Sequence, residues 1–168
     1  MSDSSAGAPD WSRITVIMIT HHGAAVVGDS LIALKQAPHI IVVDNASDDD
    51  TLDIVRACVP QARIVENAVG VGYANAANQG FDLVETEFAL TVNPDAVVSP
   101  DAVAGLLAAA DRNPRAAIIC PQSINPDGTV ELTHDVALFE RQHIPPPYHK
   151  RHADARPEGE LCADFVSG

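Results

Sequence analysis

Aromatic side chains make up only 4% of this 168-residue chain, and positive charge is nearly as scarce, with 10 Lys and Arg against 23 Asp and Glu. Residues 1–140 hold six Lys/Arg and 19 Asp/Glu, which accounts for the whole formal charge of −13, whereas residues 141–168 hold four of each. A surface this acidic argues against binding to a nucleic-acid backbone, which requires basic patches. It also disfavours a bare phosphate ligand unless a divalent cation bridges it to carboxylates. Cysteine is rare and odd in number, at 58, 120 and 162, with no CxxC or Cys/His ligand spacing. A disulfide framework and a zinc site are therefore not expected, and a reduced, cytoplasmic setting is the simplest reading. Cys58 falls on a helical apolar face and Cys120 ends an apolar run, so both are expected in the core. No apolar run approaches the length of a membrane span, and Met1 to Asp10 lacks the basic and apolar regions of a signal peptide. The nucleotide loops are missing too. There is no GxxxxGK[ST], and Gly70-Val71-Gly72 lacks the third glycine of a dinucleotide loop and follows the third strand instead of the first.

What is present is a regular alternation. The β-branched run 14–20 has the composition of a strand buried on both faces. Val27, Leu31 and Leu34 recur at helical spacing before Pro38, and residues 39–43 form a second strand ending at Asp44-Asn45. Ser47 and Asp48 to Asp50 suit the start of a helix with Leu52, Val55 and Val59 on its apolar face. A third strand covers 62–66, and a small-residue helix is expected over 70–84 with Tyr73, Ala76, Ala77, Gly80 and Val84 on one side. Residues 88–92 form the fourth strand. Ser99-Pro100 starts a helix with Val103, Leu106, Leu107 and Ala110 as its stripe, and 116–120 is a fifth strand. Asn125 to Thr129 is a turn between two short antiparallel strands. Right-handed crossovers fold this pattern into an α/β domain, a mostly parallel sheet flanked by helices. Residues 1–12 are expected to be disordered, and 141–160 a flexible loop before a last strand over 161–166.

In such sheets ligands lie outside the C-terminal strand ends, where the strand order reverses. Three of the first four strands end in Thr20-His21-His22, Asp44-Asn45 and Asn93-Pro94-Asp95. With an order beginning 3-2-1-4 these ends are neighbours. Pro94 stops the ladder and throws Asp95 clear of the sheet. Each feature also has a plainer reading. Asn-Pro-Asp is an ordinary turn, Asp44 and Asn45 suit a turn and helix cap, and Asn78 and Gly80 serve helix packing equally well.

Taken together, these residues resemble the family 2 glycosyltransferases of the GT-A (Rossmann-like) fold, especially the rhamnosyltransferase-like branch. The resemblance runs from Ile14 to Gly168. It rests on Val42 to Ser47 with Thr51, on Asn67…Gly70-x-Gly72-x-x-x-Ala76-x-Asn78-x-Gly80, on Asn93-Pro94-Asp95, on Asp127-Gly128-Thr129, and on Asp164 to Gly168. It implies a nucleoside-diphosphate-sugar donor (dTDP-, UDP- or GDP-linked), with donor contacts at Thr20, His21, Asp44, Asn45, Gly70, Asn78, Asn93 and Asp95. His21 and His22 stand where the family usually shows Tyr-Asn. Asp95 matches the second position of the metal-binding D-x-D, which makes it the one protein carboxylate on Mg²⁺ or Mn²⁺. The implied activity is inverting, metal-dependent transfer of a sugar such as rhamnose to a glycan or lipid-linked acceptor, with peripheral contact at the inner face of a membrane. The family's general base lies beyond the Val-Ser-Gly strand. The expectation is therefore a C-terminally truncated domain without its acceptor half, and the alternative is a non-catalytic fragment that binds nucleotide sugar and metal.

Overall fold

A computed structural model describes residues 8–121, together with 123–124, 127, 129–131, 134–135, 150–151 and 165–166. The chain divides into two compact units, Met1–Ala104 and Gly105–Gly168. The first unit holds a four-stranded parallel sheet of order β3-β2-β1-β4, built from β1 (Ile14–Thr20), β2 (Ile40–Asp44), β3 (Arg63–Glu66) and β4 (Phe88–Val92). Helices α1 (Val27–Leu34), α2 (Thr51–Cys58) and α3 (Tyr73–Phe81) connect them, and α4 (Pro100–Arg112) follows β4. The expected strand order is the observed one.

All seven residues of β1 and all five of β2 are buried, as continuous β-branched runs demand in a sheet covered on both faces. On one face Ile17, Ile19, Ile41 and Val43 form a cluster with Ala76 and Ala77 of α3. Val16, Met18 and Val42 alternate with them on the other face and are equally buried, as are Val27, Leu31 and Leu34 of α1 and Val55 of α2. The edge strands are more open. Phe88 and Leu90 of β4 are half-buried and Ala89 and Thr91 exposed. The register sets Thr20 beside Asp44 and Asp44 beside Glu66, so three strands end in one row. β4 stops opposite Met18, so the residues after Val92 continue level with Ile19 and Thr20.

Several expectations need correction. Residues 116–120 form no strand, Ile118 is 74% exposed and Cys120 is exposed. An apolar run becomes a strand only where a neighbouring strand accepts its N–H and C=O groups, and among the described residues the parallel sheet ends at β4. Cys58 is half-buried, at the last turn of α2. The helix expected over 70–84 is shorter at both ends, and Gly72, at φ +80°, turns the chain into it. Within 1–12, Pro9 is buried and Asp10 caps a 3-10 turn over Trp11–Arg13, so order begins before residue 13.

In the second unit, β5 (Ser123–Ile124) and β6 (Val130–Glu131) pair antiparallel around the expected turn. Strand β7 (His134–Asp135) pairs with β9 (Phe165–Val166). Strand β8 (Lys150–Arg151) pairs with β6, inside the stretch expected to be a flexible loop. The rest of 141–160, and 161–164 of the last expected strand, lie outside the described residues, as do Asp164, Ser167 and Gly168.

Candidate functional site

Every candidate donor residue lies in the first unit, and all but Asn78, which sits within α3, lie at or beside the C-terminal strand ends. The tips converge on Gly23. A Cβ built there would stand 2.7 Å from Thr20 Oγ1 and 3.9 Å from both Pro94 Cβ and Thr51 Cγ2. Only glycine lets the loop after β1 settle this closely between the ends of β1, β4 and the start of α2. Thr20 beneath it is 1% exposed, and its hydroxyl has no hydrogen-bond partner among the described residues.

Three consecutive backbone amides fasten that loop to the loop after β2. His22 N donates to Ser47 Oγ (2.9 Å), Gly23 N to Thr51 Oγ1 (2.8 Å) and Ala24 N to Asp49 Oδ2 (3.3 Å). Ser47 in turn donates through its hydroxyl to Asp44 Oδ1 and through its backbone N–H to Asp44 Oδ2 (2.9 Å). Asp44, 2% exposed, therefore accepts one bond on each carboxylate oxygen from its own turn. Ala46 holds that turn at φ 66° and His22 stands at φ 51°. Left-handed backbone at residues other than glycine costs about 1–3 kcal/mol each, and such strain clusters where loops are over-determined. Asp49 accepts from the backbone and hydroxyl of Thr51 as well as from Ala24. These bonds hold its carboxyl below the usual carboxylate value of 3.8, the Thr51 hydroxyl contributing most, against the opposing cost of desolvation.

Asn45 makes the third link. Its Oδ1 accepts from Val71 N at 2.8 Å, tying the end of β2 to the Gly70–Gly72 segment. Gly70 itself is exposed, and a Cβ there would meet Asn45 O at 3.9 Å, an ordinary contact. Asn78 is exposed on α3, away from the face that packs Ala76, Ala77 and Gly80. His21 and His22 are exposed, with ring centroids 4.0 Å apart, and His22 Nε2 pairs with Asp48 Oδ1 at 2.8 Å. Between exposed groups such a pair contributes little stability.

After β4, Ala96 N returns to Asn93 O (3.0 Å), closing a turn with Pro94 and Asp95 at its centre. Ser30 Oγ donates to Ala96 O (2.6 Å), which pins the turn to α1. Asn93 and Asp95 are exposed, and the Asp95 carboxylate has no hydrogen bond or ion pair among the described residues. It is thus the acidic group at the strand tips with its oxygens uncommitted, whereas those of Asp44 are engaged by Ser47. No three His, Cys, Asp or Glu side chains converge as a metal shell among the described residues. A divalent cation here would have one protein carboxylate, which suits Mg²⁺ or Mn²⁺ shared with a ligand's phosphate oxygens and water. A groove of about 170 Å³, lined by residues that include Thr15, His39, Arg63 and Glu85, lies at the opposite end of the strands.

The strand tips meet as the sequence predicts, but the work of Ser47, Asp49 and Thr51 is not what it predicts. Ser47 and Asp49, expected as helix-start residues, hold the loop after β1 in place. The Asp44-to-Ser47 spacing, where an Asp side chain meets a nearby backbone N–H, was the available signal.

Residues 15–166 match the family described as Glycosyl transferase family 2. Two curated relatives from Mycobacterium tuberculosis, strains CDC 1551 / Oshkosh and ATCC 25618 / H37Rv, are each 28% identical over 111 residues, covering 59% of this chain and 36% of theirs. Both are named N-acetylglucosaminyl-diphospho-decaprenol L-rhamnosyltransferase. The chain thus spans about a third of the length of these relatives. Crystal structures of S. aureus TarS 1-349, alone and in complex with UDP, superpose with a TM-score of 0.54 at 20% and 21% identity. They cover 72% of this chain and 42% and 41% of theirs. No described helix is long and apolar enough to cross a membrane.

Proposed function

The chain belongs to glycosyl transferase family 2 and has a GT-A-like α/β fold, and from this premise we propose that it binds a nucleoside-diphosphate sugar for transfer to a glycan or lipid-linked acceptor. The observation that carries the reading is the convergence around Gly23 of the ends of β1 and β4 and the start of α2, with the Asp95 carboxylate uncommitted in the turn that follows β4. The named activity of the mycobacterial relatives favours rhamnose as the sugar and a lipid-linked diphosphate as the acceptor. UDP bound by TarS, which shares this fold, makes UDP the first nucleotide to try, with dTDP and GDP as the other candidates.

Each residue has a defined task in this reading. Asp95 would hold Mg²⁺ or Mn²⁺, which when bound neutralises charge on the departing diphosphate. Asn93, beside it in the turn, would face the diphosphate. Thr20, His21, Asp44 and Asn45 would line the nucleoside side, with Ser47 keeping the Asp44 carboxylate in one orientation. Gly70 and Asn78 would border the same cleft from the β3 side. In the transfer itself, the anomeric carbon exchanges its bond to the diphosphate oxygen for one to the acceptor oxygen. The electron pair leaves with the nucleoside diphosphate, and a base takes the acceptor's proton. A single displacement of this kind inverts the anomeric centre. The residues named here serve donor binding, and none is assigned as that base. A cytoplasmic site, with acceptor delivered at the membrane's inner face, fits a lipid-linked acceptor.

Calorimetric titration of the 168-residue chain with UDP, dTDP and GDP, each with and without Mn²⁺, tests this. Mn²⁺-dependent binding of at least one nucleotide is expected, and Asp95→Ala should weaken it roughly tenfold or more, about 1.4 kcal/mol. Binding that ignores Mn²⁺, or survives Asp95→Ala unchanged, removes Asp95 from the metal site. Failure of all three nucleotides removes the donor-binding reading.

A further inference from the structure

Tyr73 is placed where a core residue should be, yet it is exposed. By helical angle it shares the sheet-facing side of α3 with Ala77 and Gly80, four and seven residues on, and both of those are buried. Tyr73 is 59% exposed. Helix α3 follows β3 and runs back along the sheet, so its first turn stands at the C-terminal end of the strands. The side that meets the sheet further down is unburied at Tyr73 in that first turn. Of the Phe, Tyr and Trp residues among 8–121, Trp11 and Phe88 precede or begin their strands and Phe81 closes α3, which leaves Tyr73 alone at this end. It is also held. Val71, two residues earlier, donates to Asn45 Oδ1 at 2.8 Å, so the Tyr73 Cα lies within about 7.6 Å of a backbone fixed to the end of β2. The two histidines at the end of β1 are less available as flat surfaces, being packed against each other at a tilt of 47° with His22 paired to Asp48.

The strand order decides what would meet the ring. Asp95 follows β4, and β1 separates β4 from β2, so the two tips stand about 9.6 Å apart, with β3 one strand further. A donor whose diphosphate sits at Asp95 extends its nucleoside toward β2 and β3 and carries its sugar on the other side of the diphosphate. On this basis, and resting on the donor-binding reading above, we infer that Tyr73 is the stacking platform for the donor's nucleobase.

The test compares UDP, uridine and inorganic diphosphate in the presence of Mn²⁺, by titration against the wild-type chain, Tyr73→Phe and Tyr73→Ala. Base–aromatic stacking predicts that Tyr73→Ala weakens UDP and uridine by about 5- to 150-fold and leaves inorganic diphosphate unchanged. Tyr73→Phe keeps the ring and should keep wild-type affinity. The exposed position predicts unaltered melting temperatures for both variants, so lost binding cannot be ascribed to unfolding. UDP affinity unchanged in Tyr73→Ala overturns the inference while leaving donor binding intact. So does an equal loss for inorganic diphosphate, which would mean a general change in the cleft. If the wild-type chain binds no nucleotide at all, the donor-binding reading falls and takes this inference with it.

Discussion

Replacing Thr20 by Val separates stability from ligand binding at the most enclosed point of the site. The hydroxyl is buried and has no partner among the described residues. A buried polar group left without a hydrogen bond costs about 1–3 kcal/mol. Valine removes that cost and adds a methyl whose burial contributes roughly 0.8 kcal/mol. Against this stands crowding, because Gly23 closes directly over the hydroxyl and a γ-methyl is slightly larger than an oxygen. The balance is a stabilisation of about 1–2 kcal/mol, read as a rise of roughly 2–8 °C in melting temperature or as a higher urea midpoint at unchanged slope. Thr20→Ser is the control, since it keeps the hydroxyl and gives up the packed methyl. The expected order of stability is Val above Thr above Ser. A destabilised Thr20→Val protein, or a Ser variant as stable as wild type, would mean that the hydroxyl is already bonded and would refute the reasoning. UDP titration of the stabilised Val variant then decides the hydroxyl's use. Weakened binding identifies it as a group left unsatisfied for the donor, the usual trade of stability against function. Unchanged binding makes Thr20 a floor residue under Gly23.

Two further outcomes follow from packing and titration. Gly80→Ala would push a Cβ to 2.6 Å from Ile17 Cγ2 in the centre of the sheet face, so it should destabilise by about 1–3 kcal/mol despite alanine's better helix propensity; a stabilised variant would show that α3 is free to shift. Asp49 has its carboxyl lowered below the unfolded value of 3.8, so its contribution is fully present above that value and is lost as pH falls through the lower folded value. The melting-temperature gap between wild type and Asp49→Asn should be full at neutral pH and close as pH drops below about 4, and a gap independent of pH would disconnect Asp49 from the loop after β1.

The strands most legible in the sequence are those whose environment needs no partner to specify it. Residues 14–20 and 40–44 are continuous β-branched runs, and only a strand covered on both faces accommodates them. The polar residues that interrupt these runs mark the strand ends without further information, which is why the sequence alone sets Thr20, Asp44 and Asn93 to Asp95 at one edge. Residues 116–120 are also an apolar run but form no strand, because pairing depends on a neighbour that no local pattern encodes. Tyr73 exposes a related limit. Periodicity assigns a residue to a side of a helix, and here it assigned the side correctly. Burial depends instead on whether the opposing layer extends far enough to meet that side. At the first turn of α3 it does not, and Tyr73 is left exposed there. The loops complete the pattern. Asp44 looked like a ligand-binding carboxylate and Ser47 like a helix cap, and in the structure each occupies the other's hydrogen-bonding groups. A carboxylate already satisfied by its own turn is suited to keeping the loop's shape, and one with both oxygens uncommitted, as at Asp95, is suited to a cation. In the proposed reading, which of two equally acidic strand ends would hold a cation is therefore set by neighbours three residues away, not by the strand that delivers it.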